Sequence, residues 1–365
     1  MSAVITPFEG TELFNMASFN NRISQINTGF SYVSNPNLLD NWYFGNPVNQ
    51  RNGYIVPAGV AYYKVEGYVP QGPMPETIRV DYIDAAGSAR FNYGGVACYV
   101  PKDGGYVRGY TGAWSYTIDR WQLGDGNISL SVADGGIALK GGGVVGSDYI
   151  FTRVERLPVA KYTYTILFSG NTGQVALSNK STDTGVVTAV TSRAASGVLS
   201  LTWDQTTEFT SSDAFLRIHA LGSVNILAVK LELGPTQTLA HQENGQWVLN
   251  EIPDYGEQLR RCQRYCFVWG YSAKRTSCLA VMQAYEPERL FGLIPTPVTM
   301  RGTPVVTGGS LTTFGGMVTS LWSLNLCANG IRAVASVNGA NFAVGQAVGI
   351  ENADDNGKVI FSADL

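Results

Sequence analysis

The chain has 365 residues, with 25 Lys and Arg against 28 Asp and Glu, a net charge of −3 and only 15% charged residues. A chain this poor in charge, with 11% aromatics and 42 glycines, is not of the disordered class. No basic run offers a footprint for nucleic acid, no stretch is long and apolar enough to span a bilayer, and the first thirty residues lack a secretory signal pattern.

At roughly 150 residues per domain, the length predicts two or three domains. Residues 1–34 are predicted to hold one helix. Met16, Phe19, Ile23, Ile26 and Phe30 recur in steps of three and four, Asn15 can cap the start and Gly29 can end it. A helix of about four turns is marginal alone in water. It either docks on its own domain or, the sharper reading, forms a short symmetric bundle with copies of itself.

From residue 35 to 236 the pattern turns to strands: five to eight alternating residues, punctuated by Gly, Asn or Asp. Tyr162 to Phe168, Gly185 to Thr191, Val198 to Trp203, Phe215 to His219 and Val224 to Leu233 are the clearest. The spacing predicts a β-sandwich of jelly-roll type. His219 falls at the end of one strand and reads as a structural residue. Residues 52–115 form a Tyr- and Gly-rich insertion with hairpin-like turns at Asp84 to Gly87 and Pro101 to Gly105. Its tyrosines either pack a loop-rich region or present an adaptable binding surface.

Residues 237–267 read as a linker and a short helix, Tyr255 to Cys266, with Leu259, Cys262 and Cys266 as its apolar stripe. Residues 268–365 read as a distal β-sandwich head. No charged residue occurs from 302 to 331 or from 333 to 350. Strands so free of charge suggest that both faces are covered, and identical chains would cover them compactly. The fold class is thus mainly β: an N-terminal helix, a jelly-roll sandwich, a linking helix and a β-rich head, homotrimeric.

Little in the sequence speaks for catalysis. Two histidines, His219 and His241, leave scant material for a zinc site or a Ser-His-Asp triad. The five cysteines (Cys98, Cys262, Cys266, Cys278 and Cys327) are odd in number and scattered, which is no disulfide framework. Cys262 and Cys266 have helical spacing, but a metal would need two further soft ligands. Glu286-Pro287-Glu288 and Asp354-Asp355 read as solvated turns. The glycine-rich run at 141–146 lacks a P-loop lysine. No metal, no cofactor and no enzymatic activity are expected. Aromatic surface remains, and rings stack on the apolar faces of sugars. Trp114 and Trp203 are candidates with core as the alternative; the proposed glycan-binding set is Trp269, Tyr271, Tyr285 and Trp322.

Several segments carry a family likeness: Asn35 to Asn41, Asn46 to Arg51, Pro101 to Tyr110, Tyr116 to Trp121, Ala228 to Gly234, Asp254 to Tyr265, Ile294 to Pro304 and Phe361 to Leu365. The blocks Tyr255-Gly256-Glu257-Gln258-Leu259 with Cys262-Gln263-Arg264-Tyr265, and Pro297-Val298-Thr299-Met300-Arg301, are the specific ones. In these the chain resembles tail-fibre and receptor-binding proteins of phages and prophages of Gram-positive bacteria. Its middle resembles carbohydrate-binding-module-like jelly rolls. The resemblance implies a homotrimeric fibre at the virion tail tip, made in the host bacterial cytoplasm. Its N-terminus would attach to tail or baseplate proteins, and its head would meet host surface polysaccharide. Alternatives are a tail-associated polysaccharide depolymerase or wall hydrolase, and a fibre of a tailocin or contractile injection system.

The helical stripe and the charge-free head both predict a parallel homotrimer, since leaving either exposed costs about 25 cal/mol per Å2. Light scattering at micromolar concentration is expected to return three times the chain mass; a stable monomer overturns this.

Overall fold

The computed structural model describes residues 34–50, 117–124, 128–133, 135–141, 149–180, 188–269, 278–307, 311–327, 330–352 and 359–363. Within 51–116 it describes only the backbone of six short strands. The N-terminal stripe (Met16, Phe19, Ile23, Ile26 and Phe30), Tyr271, Trp114, the Asp354-Asp355 turn and most of the insertion lie outside the described residues. Of the six strands, β1 (Ile55–Val56) pairs with β5 (Gly105–Tyr106). A four-stranded sheet joins β2 (Tyr82–Ile83), β3 (Ala89–Tyr93), β4 (Val96–Val100) and β6 (Arg108–Gly109) in that order. The expected turn at Asp84 to Gly87 does connect an antiparallel pair, Ile83 facing Ala89. Pro101 to Gly105 instead joins strands of different sheets.

Nine strands follow: β7 (Trp121–Leu123), β8 (Ile128–Ala133), β9 (Gly136–Gly141), β10 (Tyr149–Leu157), β11 (Ala160–Ser169), β12 (Gln174–Lys180), β13 (Thr188–Ser192), β14 (Ser196–Gln205) and β15 (Phe209–Leu233). They make two five-stranded sheets that share β15 and enclose one core. The alternation in β11 shows why. Tyr162, Tyr164, Ile166 and Phe168 enter the core, while Thr163 and Thr165 on the other face meet the hydroxyls of Thr202 and Ser200 on β14 at 3.1 and 3.0 Å. Trp203 belongs to this core and stacks on Tyr162 with ring centroids 5.6 Å apart, so its candidacy as a ligand platform ends there.

The two sequence segments read as separate strands, Phe215 to His219 and Val224 to Leu233, are one 25-residue strand. His219 therefore sits within it, not at its end. The partner changes at one peptide: Leu221 is paired with Gln174 of β12, and Gly222 with Gly141 of β9. Gly222 has φ +79, and a Cβ there would lie 3.1 Å from the backbone of Gly173. The left-handed backbone and the close approach both call for glycine, which lets one strand pass from one sheet to the other.

Segment 34–50 is laced to the sandwich by its asparagines. Asn37 donates to Val229 O (2.9 Å) and accepts from Leu39 N and Leu231 N. Asn41, at φ +52, donates to Val48 O and Asp119 O and accepts from Val48 N. Beside them Lys230 and Glu232 are fully buried. The Lys230 ammonium donates to Ser34 Oγ and Thr238 Oγ1, and Glu232 accepts from Thr238 and from Asn35 Nδ2. The Lys-Leu-Glu-Leu pattern thus places two leucines in the core and two charges in a sealed network. A hairpin, β16 (Ala240–Glu243) with β17 (Gln246–Leu249), turns at Asn244-Gly245, both at positive φ.

Helix α1 (Tyr255–Gln263) starts at Asp254, whose carboxylate accepts from Glu257 N at 2.9 Å. It ends three residues sooner than the predicted Cys266, and its buried positions are Gln258 and Cys262 rather than the expected Leu259 stripe. Cys266 opens β18 (Cys266–Trp269). Gln258 is buried because it is a connector: its Oε1 accepts from Trp42 N at 3.0 Å. Arg261 donates to Asp40 Oδ1 (2.8 Å), and Arg120 approaches Asp40 Oδ2 (3.5 Å) while its guanidinium lies 3.5 Å from the Tyr265 ring centroid. Arg301 reaches Glu155 of β10 at 2.7 Å. These contacts tie sandwich, helix and head together.

The head strands are β19 (Cys278–Glu286), β20 (Arg289–Pro295), β21 (Val305–Thr307), β22 (Leu311–Thr313), β23 (Gly316–Cys327), β24 (Gly330–Val337), β25 (Ala347–Asn352) and β26 (Val359–Ser362). Six of them close into a barrel, β19-β20-β24-β23-β22-β25, where a sandwich was expected. The short strand β22 closes it, with Leu311 facing Val318 of β23 and Asn352 of β25. A barrel leaves no open edge within those pairings, which alternation along single strands cannot reveal. β26 runs between β18 and β21, and Phe267 stacks on Phe361 at 5.8 Å. The chain end thus returns to the segment that follows the helix.

Four cysteines are free: Cys262 and Cys266 are buried, Cys278 is exposed and Cys327 half-buried. Burial, together with Asp119 and Asp40, pushes the Cys262 thiol well above the usual range, so it stays protonated and inert.

Gln258→Ala leaves the buried amide of Trp42 without its acceptor. It is expected to cost about 1–3 kcal/mol of stability, read from urea denaturation. An unchanged midpoint would show that the helix contact contributes nothing.

Candidate functional site

The outer wall of the barrel is the first candidate. On β19, Met282 and Ala284 point into the core, so Val281, Gln283 and Tyr285 point out. The same alternation turns Phe291 and Leu293 outward on β20, Arg332 and Val334 on β24, and Trp322 on β23. Register aligns one row across four strands: Gln283, Phe291, Val334 and Trp322. Three strand spacings make this row about 14 Å wide. Val281 is 65% exposed, Leu293 44%, Trp322 38% and Leu324 47%. Arg332 is the charge in the middle of this wall, and its guanidinium lies 4.9 Å from the Phe291 ring centroid. At one rim the exposed pair Arg289–Glu286 (3.5 Å) closes the β19–β20 hairpin, where Glu286-Pro287-Glu288 forms the solvated turn expected from sequence.

Two of the four proposed glycan-binding residues share this wall. Tyr285, 39% exposed, sits at the bulge between Ala284 and Glu286, and Trp322 lies at the far end of the row. Trp269 is elsewhere. It ends β18, pairs with Val359 and packs partly against the head core. Sequence reasoning missed Phe291, Arg332 and Gln283, which only the barrel register puts between the two exposed rings. Over β23 no residue is buried, so the charge-free strand is uncovered in the single chain. The wall offers flat aromatic and aliphatic surface bordered by amide, hydroxyl and one guanidinium, a composition suited to sugar rings and their hydroxyls.

A second cluster lies on the outer face of the sheet formed by β10, β12 and the first half of β15. Tyr149 faces His219, Phe151 faces Arg217 and Arg153 faces Phe215. Their in-between neighbours Ile150, Leu216 and Ile218 fill the sandwich core. The Arg217 guanidinium lies 4.3 Å from the Tyr149 ring centroid and 5.7 Å from that of Phe215. Tyr149 and His219 rings are 5.3 Å apart, and Phe151 and Phe215 5.4 Å. Ser178 Oγ is 2.7 Å from His219 Nε2. Although on an outer face, Tyr149, Phe151, Phe215, Arg217 and His219 are all buried. Burial, and then the positive charge of Arg217, push the His219 imidazole down to about 4. The signal was present in the sequence: aromatic, cation and histidine fall in one phase of Phe215-Leu216-Arg217-Ile218-His219, a phase that alternation assigned to solvent.

Among the described residues, no group of three His, Cys, Asp or Glu side chains could hold a metal ion.

His219 generates a pH dependence. Its folded value of about 4 lies below the ordinary 6.5. The unfolded chain therefore takes up the proton first. The contribution is complete above pH 6.5 and is lost as pH falls from 6.5 towards 4, by about 3 kcal/mol in all. Urea midpoints across that range are expected to fall, and His219→Gln to flatten the fall; an equal slope in both proteins assigns it to other groups.

No family model matches the chain, and no curated protein matches it. Among solved structures, the CBM22-1–GH10 modules of xylanase 10B from Clostridium thermocellum, complexed with xylohexaose, are 16% identical, with a TM-score of 0.26. That match covers 34% of this chain and 28% of the xylanase chain. The apo CBM1 of BiXyn10A is 11% identical over 34% of this chain and 94% of its own, with a TM-score of 0.25. Discoidin II of Dictyostelium discoideum is 13% identical over 62% of this chain and 81% of its own, with a TM-score of 0.15. At these identities and TM-scores the likenesses carry no inference about this chain.

Proposed function

We propose that the chain is a non-catalytic attachment subunit of a phage-type tail that binds a surface glycan of a Gram-positive host through the barrel wall. The family resemblance of the Tyr255 to Tyr265 and Pro297 to Arg301 blocks supports the tail-fibre part of this reading. The glycan part is carried by one observation: the aligned row of Gln283, Phe291, Val334 and Trp322, with Tyr285 beside it, is open in the single chain. Stacking on Trp322 and Tyr285 would hold sugar rings, and Gln283 and Arg332 would take hydroxyls. Neutral aromatic surface suits neutral glycans better than polyanions, which call for a basic patch. Three copies in a homotrimer would raise a weak single-site affinity by roughly 10²- to 10⁴-fold.

The test uses the full chain with purified wall polysaccharide and whole cells of Gram-positive species. Binding without new reducing ends is expected, with Trp322→Ala and Tyr285→Ala each weakening it about tenfold or more. Released oligosaccharide would instead establish the depolymerase alternative. Full binding by both variants would remove the barrel wall as the site.

A further inference from the structure

The barrel wall leaves the buried cluster on the sandwich unused, and that cluster has an electrostatic deficit. Arg217 is 5% exposed. Taking a guanidinium out of water is costly unless an anion or a full set of acceptors replaces the water. Among the described residues no carboxylate lies within ion-pair range of Arg217. On β10 the acidic residue in the same phase, Glu155, is engaged by Arg301 at 2.7 Å. Arg153, also on this face, adds a second cation, 5.0 Å from the Phe215 ring centroid. The cluster is thus cationic and aromatic, with nothing described that balances it.

The donors that remain have a direction. Tyr149 stacks against the flat face of the Arg217 guanidinium, so its N–H groups point outward in the guanidinium plane. Arg217 Nε is buried and has no acceptor. His219 Nδ1 is likewise buried and without a partner, while its Nε2 is held by Ser178. Residues 217 and 219 share one strand face, about 7 Å apart along β15. Two unpartnered nitrogens at that separation match the two oxygens of one planar anion.

We propose that Arg217 and His219 form a receptor for a single oxyanion, most simply the carboxylate of an acidic sugar, seated in the guanidinium plane beside Tyr149. The phosphate of a polyol-phosphate polymer has the same chemistry and differs in shape; the planar edge of Arg217 favours the carboxylate. This site is separate from the barrel wall and stands whether or not that wall binds neutral glycan.

The chain's only two histidines make the test direct. The imidazole resonances of the full-length protein are followed by NMR at constant ionic strength during titration with glucuronate, inorganic phosphate or glucose. Glucuronate is expected to shift His219 saturably and leave His241 unmoved, with no saturable effect from glucose. Arg217→Lys keeps the charge but loses the fork, and is expected to weaken glucuronate about tenfold. His219→Gln keeps a partner for Ser178, removes Nδ1, and is expected to weaken binding severalfold by calorimetry. A stronger saturable response to phosphate would support the oxyanion site with phosphate as its source. The proposal is overturned if neither anion shifts His219 saturably, if glucose shifts it equally, or if both variants bind as the native chain does.

Discussion

One small cluster positions everything else: Asp40, Arg120, Arg261 and Tyr265. Asp40 lies on the segment that precedes the sandwich, Arg120 enters it, and Arg261 and Tyr265 come from the helix and the turn after it. The two arginines share one carboxylate, at 2.8 and 3.5 Å, and Arg120 lies flat on the tyrosine ring. A chain with 15% charged residues has few ions to place, and it concentrates them here, where three parts of the chain must be fixed. The neighbouring groups stay neutral. Burial above all holds the Tyr265 hydroxyl and the Cys262 thiol above their ordinary values, with nearby carboxylates adding to it. The helix is therefore less a packing element than a connector, which is why its buried face presents Gln258 to the amide of Trp42. From the same turn, Ala363 N donates to Tyr265 O and Arg301 N to Arg264 O, so the end of the head is anchored on the joint as well.

The sandwich depends on a comparable economy in its backbone. A single strand serves both sheets, and the switch occurs at Gly222 because only a residue without a Cβ passes so near Gly173. Sharing the strand places the polar phases of its two halves on different outer faces. In the second half, Lys230 and Glu232 are neutralised by each other and by the segments that cover them. In the first half, Arg217 and His219 have aromatic rings for neighbours and no such balance. The same alternating pattern thus yields a closed structural network on one side and a cluster with unused donors on the other.

The head shows how closure changes the meaning of an apolar strand. In a sandwich, β23 would turn one face to a second layer. In the barrel its inward phase is already served by neighbours, and Met317, Trp322 and Leu324 are left outside. The absence of charge from 302 to 331 then describes an outer surface rather than an interior, and such a surface is suited to neutral rings or to another copy of the chain.

The sequence by itself determined the β class, the onset of strands after residue 35, the helix beginning at Tyr255 and the uncharged character of the head. These are local properties: alternation, capping and composition act over a few residues. It also separated the helix from its surroundings by Asp254 alone, because an N-cap is satisfied within one turn. Only the tertiary structure decided that two strands were one, that the head closes into a barrel, that Gln258 is buried while Leu259 is not, and that Tyr285 and Trp322 share a wall while Trp269 does not. It alone turned the phase of Arg217 and His219 from solvent to a buried aromatic cluster. Each of these depends on which strand lies beside which, and a side-chain period of two reports only that a residue has two sides, not what the rest of the chain brings against them.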